Sequence, residues 1–291
     1  MIISEEFVKA ALMPVDENAN KYTRGSVMII AGSYGMAGAA VLSAKAAMRS
    51  GAGIVRLVVP DSIYPVCASS LPEAVYTPIK SSGAQLDVSA YESAEPYFSK
   101  VGAVAFGPGV GTGEEVSDLL ISLVRNVNVP LIIDADGINV LSGHIDILKE
   151  KSSDILLTPH EGEMARLIGK DIGFVRNNRL ECAVDFAAKW GVNLLLKGKN
   201  TIIASPDSRV LVNPTGTPAL ATAGSGDVLT GIISATASSG TKLFDAACAG
   251  AYIHGLSGEL AAEDFGVRSV IASDIIEYLK DAFKALDYKE C

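Results

Sequence analysis

The feature that most constrains this chain is a succession of short, uninterrupted apolar runs, each stopping at a glycine-rich or polar loop. Val27 to Ala31 leads into Gly32, Ile54 to Val59 into Pro60, and Ala103 to Phe106 into Gly107. Leu131 to Ile133 meets Asp134, Ile155 to Leu157 precedes Thr158-Pro159, and Leu194 to Leu196 meets Lys197. Strands that are apolar on successive residues suit a sheet covered on both faces, the usual setting of parallel strands. The runs alternate with helical stretches such as Ala39 to Ser50, Leu180 to Trp190 and Asp245 to Leu260, so the connections read as crossovers. The expectation is an α/β fold: a central, mainly parallel sheet with helices on both faces. The strand-end loops then lie together on one side, where ligands of such sheets bind. After Gly198 the texture changes. Thr201 to Ala204 and Arg209 to Val212 flank Ser205-Pro-Asp-Ser208 as a hairpin, and a helical tail runs from Asp227 onward. No linker, repeat or charge block divides residues 1–291, so one domain is expected.

Charge narrows the partners. A formal net charge of −9 repels polyanions and no run of Lys and Arg offsets it, so neither nucleic acid nor an anionic membrane is an expected partner. Glu5, Glu6 and Asp16 break any targeting-peptide pattern, and no apolar run approaches the ~20 residues that span a bilayer. Cys67, Cys182, Cys248 and Cys291 are scattered without C-x-x-C spacing. That argues against a metal knuckle or disulfide framework and fits a reducing cytoplasm.

The sharpest chemical signal is the stretch from Asn213 to Leu229, NPTGTPALATAGSGDVL. Gly224, Ser225 and Gly226 stand immediately before Asp227, where an apolar helical pattern begins. A helix start leaves backbone N–H groups free and presents the positive end of the helix dipole, which together make an anion hole suited to phosphate. A carboxylate beside that hole can accept a proton from an attacking hydroxyl. The same Asp could be a plain N-cap. Lys197-Gly-Lys-Asn-Thr201 after a strand could hold nucleotide phosphates, and an exposed turn would look the same.

Three further loops sit at strand ends. Gly32-Ser-Tyr-Gly-Met-Ala-Gly38 has G-x-x-G-x-x-G spacing rather than the dinucleotide G-x-G-x-x-G, and no acidic residue ends the next strand, so a dehydrogenase is disfavoured. Gly107-Pro-Gly-Val-Gly-Thr-Gly113 precedes a helix near Glu114, and Thr158-Pro-His-Glu-Gly-Glu163 places His160 and Glu163 near another helix start. Asp134-Ala-Asp136 could hold Mg²⁺ through water or serve as ordinary capping. Walker A, H-E-x-x-H and G-x-S-x-G patterns are absent from the sequence.

Taken in order, GSYGMAGAA, GPGVGTG, DADGIN, TPHEGEM, KGKNT and NPTGTPALATAGSGD resemble the ADP- or ATP-dependent NAD(P)H-hydrate dehydratases, from about Gly25 to the final helix. The resemblance implies a ribokinase-like fold and repair of hydrated NADH and NADPH. It marks Ala39, Gly107, His160 and Asp227 as contacts to the hydrated cofactor, with Asp227 the acid–base residue. It marks Lys197, Gly198, Lys199, Asn200 and Thr201, together with Gly224, Ser225 and Gly226, as nucleotide contacts. It further implies ADP (or ATP) with Mg²⁺ and a homotetramer; many bacterial relatives fuse an epimerase domain at the amino terminus, and with about two dozen residues before Gly25 that partner activity is expected on another chain, as a separate epimerase, or absent. Vitamin kinases of the superfamily usually carry Asn-x-x-Glu where this chain has His160-Glu-Gly-Glu163, which favours the dehydratase. The rivals are a small-molecule kinase of the same fold and a catalytically silent nucleotide-binding module.

Overall fold

The computed structural model describes residues 1–80 and 85–287. Nine strands form one sheet: β1 Ser26–Ile30, β2 Ile54–Pro60, β3 Val75–Ile79, β4 Ala103–Phe106, β5 Leu131–Ile133, β6 Ile155–Leu157, β7 Asn193–Leu196, β8 Ile202–Ala204 and β9 Val210–Val212. Their order is β3-β2-β1-β4-β5-β6-β7-β8-β9. The first seven are parallel, and β8 and β9 continue antiparallel as the expected hairpin. The helices are α1 Glu5–Ala11, α2 Ala37–Arg49, α3 Tyr64–Ser70, α4 Ser89–Phe98, α5 Glu114–Asn126, α6 Asp136–Leu141, α7 Glu161–Ile168, α8 Ile172–Asn177, α9 Arg179–Trp190, α10 Ser225–Ser238, α11 Leu243–Phe265 and α12 Ala272–Asp287.

Strand alternation divides the buried residues between two cores. Val27 and Ile29, Val55 and Leu57, Ala103 and Ala105 face the core shared with α2, α10, α11 and α12. Met28 and Ile30, Val104 and Phe106, Leu131 and Ile133 face the core built with α4, α5, α7 and α9. Both faces are covered, which is why the runs read as continuously apolar. Facing α10, β4 offers only alanines. On α2, Ser43, Ala46 and Ala47 meet Gly231 of α10, where an added Cβ would collide with the Ser43 carbonyl. Small residues thus let α2 and α10 approach closely, which fixes where the start of α10 sits relative to β1 and β4.

The sheet order reverses around β1, whose neighbours are β2 and β4, and such a switch point opens a crevice above the strand ends. Loops bridge it here. The Gly32 N–H donates to the Pro108 carbonyl (2.8 Å) and the Ser33 hydroxyl to the Gly109 carbonyl (2.8 Å). At the opposite edge, Val212 N–H donates to Met1 and Ile3 N–H to Val212, so the amino terminus covers β9.

Two expectations need correction. The segment Val75–Ile79 is a strand that the apolar-run criterion passes over: it is an edge strand, partly exposed and containing Pro78. The helix expected from Asp227 begins instead at Ser225, with Gly224 as its left-handed N-cap (φ 85°), so Asp227 is the third helical residue and caps nothing. Cys67, Cys182 and Cys248 are buried free thiols, and Cys291 lies outside the described residues. Among the described residues no helix is long and apolar enough to cross a membrane.

Candidate active site

The first turn of α10 is the centre of the site. Ser225 N–H donates to the Thr222 carbonyl (3.3 Å). The N–H groups of Gly224, Gly226 and Asp227 meet no acceptor among the described residues. Of the three amides expected to face an anion, those of Gly224 and Gly226 are free and that of Ser225 is engaged, while the Asp227 amide is free as well. Free amides at a helix start, with the helix dipole behind them, attract an anion.

The Asp227 side chain is mostly buried and accepts no hydrogen bond among the described residues. Burial, reinforced by the negative charges of Asp134 and Asp136 and opposed by Lys197, raises its pKa to about 7. A carboxyl group in this range holds or releases a proton near neutrality, as a general base requires.

Beneath Asp227 lies a charged network. Lys197 Nζ sits 2.7 Å from Asp134 Oδ1 and 3.8 Å from Glu163 Oε2. Thr230, one turn after Asp227 on α10, donates its hydroxyl to Asp134 Oδ2 (2.7 Å). Burial opposes ionisation of Asp134. The Lys197 ammonium and hydrogen bonds from Lys197, Thr230 and Thr158 outweigh it and keep this carboxyl below the usual range. Glu163 goes the other way, raised chiefly by burial against the pull of Lys197. The sequence reading allowed Asp134-Ala-Asp136 a Mg²⁺ role. The structure instead engages both Asp134 oxygens within the protein, while Asp136 Oδ2 accepts from Gly111 N–H (2.9 Å) and so ties α6 to the loop after β4. No group of three or more His, Cys, Asp or Glu among the described residues is arranged to hold a metal. Between the two aspartates, Ala135 adopts φ 52°, a strained conformation for a residue with a side chain.

The remaining residues singled out from sequence fall around this network. His160 is the N-cap of α7: its Nδ1 accepts from Gly162 N–H (2.9 Å) and Glu163 N–H (3.2 Å), while Glu163 Oε2 accepts from His160 N–H (2.7 Å). This capping box puts the ring hydrogen on Nε2, and burial together with the charges of Lys197 and Arg166 lowers the imidazole's pKa. Gly107 (φ 126°) is buried, and a Cβ there would collide with the Asp134 carbonyl, so the loop after β4 sits directly on the loop after β5. Ala39, 7% exposed on the first turn of α2, faces Gly109. Lys197 points inward, whereas Gly198, Lys199 and Asn200 are exposed and Asn200 is left-handed (φ 55°). Thr201 closes that turn by donating to the Gly198 carbonyl (2.9 Å).

Sequence reasoning passes over three supporting residues. Arg179 at the start of α9 donates to the carbonyls of Leu196 (3.2 Å), Lys197 (3.3 Å) and Lys199, bracing the Lys197–Thr201 loop from below. Thr230 orients Asp134. His254 on α11 meets Ser225 (3.1 Å). Each acts over a long sequence separation, and none carries a local signature. The Asn213 side chain, inside the expected motif, donates to the carbonyls of Ala251 (3.0 Å) and Thr215 (3.1 Å) and so fastens the start of that loop to α11.

A free carboxylate near neutrality, free helix-start amides and a buried ammonium within one network are the parts that phosphoryl transfer uses. Known proteins point the same way. A family model for NAD(P)H-hydrate dehydratase matches residues 27–281. The bifunctional NAD(P)H-hydrate repair enzyme of Moorella thermoacetica is 37% identical over 98% of this chain, and the chain spans about half the length of that relative (54%). The ADP-dependent (S)-NAD(P)H-hydrate dehydratase of Neisseria meningitidis is 35% identical over 89% of this chain and 85% of its own. The crystal structure of the ADP/ATP-dependent NAD(P)H-hydrate dehydratase of Bacillus subtilis, co-crystallised with ATP/Mg²⁺, superposes with a TM-score of 0.84 at 30% identity and covers 98% of both chains. The fold is ribokinase-like, as the motif order implied. With loop order, architecture and nearly full-length similarity in agreement, the chain belongs to the NAD(P)H-hydrate dehydratase family.

Proposed function

We propose that the chain dehydrates the S-epimer of hydrated NADH and NADPH, with ADP as phosphoryl donor. The observation that carries this reading is the unpartnered Asp227 carboxylate, poised near pH 7 beside the free Gly226 and Asp227 amides. Asp227 takes the proton of the ring hydroxyl as that oxygen attacks the terminal phosphorus of the nucleotide. The new O–P bond forms as the bond to the departing AMP breaks. The free amides and Lys197 stabilise the charge on the moving phosphoryl group. Phosphate is a far better leaving group than hydroxide. The ring nitrogen's lone pair then expels it, and loss of a proton from the adjacent ring carbon restores the dihydronicotinamide. Hydrated NADH and ADP become NADH, AMP and phosphate.

In this assignment the hydrate lies against Ala39, Gly107, His160 and Asp227. Ala39 and Gly107 contribute backbone, and His160 its Nε2–H. The nucleotide lies along Lys197 to Thr201 and the Gly224–Gly226 turn. Mg²⁺ accompanying the nucleotide would neutralise part of the phosphate charge during the transfer. A homotetramer, a cytoplasmic location and an epimerase activity that replenishes the S-epimer complete the reading, on the strength of the family likeness. The test is to supply hydrated NADH with ADP or ATP and follow dihydronicotinamide absorbance. Absorbance should return with equal AMP and phosphate, and faster with ADP. A clear preference for ATP overturns the ADP assignment. A stable phosphorylated product without returning absorbance identifies a small-molecule kinase. Nucleotide binding without any turnover identifies a silent binding module.

A further inference from the structure

Helix α11 runs behind the entire β9–α10 connection. Its Ala251 and Tyr252 carbonyls accept from Asn213 (3.0 Å) and Thr215 (2.9 Å), and its Glu259 accepts from Gly216 N–H (2.6 Å). The last of these contacts along the connection is His254 Nε2 with Ser225 Oγ, 3.1 Å apart. Both residues are buried, at 8% and 5% exposure; Ser225 belongs to the turn assigned to the nucleotide through its backbone, and neither side chain has a role in the proton or phosphoryl transfers described above. Burial, with a contribution from the Lys197 charge and against a hydrogen bond to the Ser225 backbone carbonyl, lowers the His254 pKa to about 4. The ring is neutral across the physiological range.

We infer that His254 is a positioning residue: by engaging the Ser225 hydroxyl it keeps that hydroxyl off the neighbouring amides and leaves them open for a phosphoryl group. The competition is a general one. Serine hydroxyls bond readily to backbone N–H groups two residues on, and the residue two beyond Ser225 is Asp227, whose amide is free here. On this account a Ser225 hydroxyl released from His254 turns to this amide. The inference rests on the proposed placement of the terminal phosphoryl at the start of α10.

Calorimetric titration with ADP and with AMP tests it, because AMP lacks the phosphoryl group that the amides would hold. His254→Leu should weaken ADP binding about tenfold, the size of one hydrogen-bond contact, and leave AMP binding within about twofold. Adding Ser225→Ala to His254→Leu removes the competing hydroxyl and should restore ADP affinity to within about threefold of the parent. A merely structural His254 would lower melting temperature without changing the ADP-to-AMP ratio of the folded protein. An unchanged ratio in His254→Leu, or no recovery in the double variant, overturns the inference. If His254→Leu does not fold, His254→Gln and His254→Asn read the same contact. Gln extends its amide to about the Nε2 position and should retain ADP affinity, whereas the shorter Asn should lose it, and equal affinities overturn the inference. A parent protein that binds neither nucleotide would instead remove the proposed function, and this inference with it.

Discussion

At the scale of single residues the site is a contest between burial and charge, and Asp227 shows the outcome. Its folded pKa of about 7 stands above the ordinary 3.8, so the folded state binds more protons than the unfolded chain between about pH 4 and pH 7. Stability from this group therefore falls as pH rises through that window. Asp227→Asn removes the penalty. Thermal melts should show the variant more stable than the parent at pH 8, by up to roughly 4 kcal/mol, and the difference should vanish toward pH 4. Turnover should nevertheless fall by roughly 10²–10⁴-fold, since the amide cannot take a proton. An Asn variant with near-normal turnover would return Asp227 to a bystander. For the parent, kcat/KM for the hydrate should fall on the acid side of about pH 7, as the free enzyme's base becomes protonated; a flat profile down to pH 5 would contradict the assignment. His160 needs a subtler substitution. His160→Ala loses the α7 cap as well as the ring, at a cost of ~1 kcal/mol. His160→Asn keeps a cap. It should fold like the parent, bind AMP unchanged and show a raised KM for the hydrate. Equal losses toward AMP and hydrate would leave His160 a purely structural cap.

At the scale of elements, the sequence was most legible where one physical requirement acted alone. The buried strands were evident because a doubly covered strand must be apolar on every residue, and Val27, Ile29 and their neighbours obey that rule. Strand β3 was not, because an edge strand is only half covered and Pro78 is tolerated there. The glycine-rich start of α10 was legible from glycines in series, but which of its amides are free was not: that depends on the Thr222 carbonyl, a contact no spacing encodes. Asp134, Lys197 and Thr230 likewise lie 63 and 96 residues apart along the chain and meet only through the fold. One consequence concerns the α2–α10 contact. Gly231→Val inserts a side chain where the Ser43 backbone lies, and overpacking of this kind costs roughly 1–3 kcal/mol or more. Because that contact also sets the α10 start, the loss in denaturant midpoint should come with a loss of turnover in the protein that remains folded. Full turnover per folded molecule would separate the packing from the site.

At the scale of the whole molecule, the two cores are completed at different points along the chain. The face shared with α4 to α9 is assembled from residues no later than β8, with Val210 and Val212 of β9 packed against it. The face bearing β1, β2, β4 and α2 is closed by α10, α11 and α12, the last elements described. A chain ending before Ala272 should therefore expose Ala44, Ala47 and the inner faces of α10 and α11, and be recovered as aggregate rather than as a monomer with reduced activity. A soluble, cooperatively melting truncation would mean that α12 is an accessory. Synthesis imposes the same order in time. At 5–20 residues per second, translating residues 225–287 takes roughly 3–13 s. For that interval the nascent chain carries an already formed apolar face with nothing to lay over it. Substitutions that slow the docking of α10 should on this account register first as a greater demand on chaperones and a smaller soluble yield, before any purified molecule shows a kinetic defect.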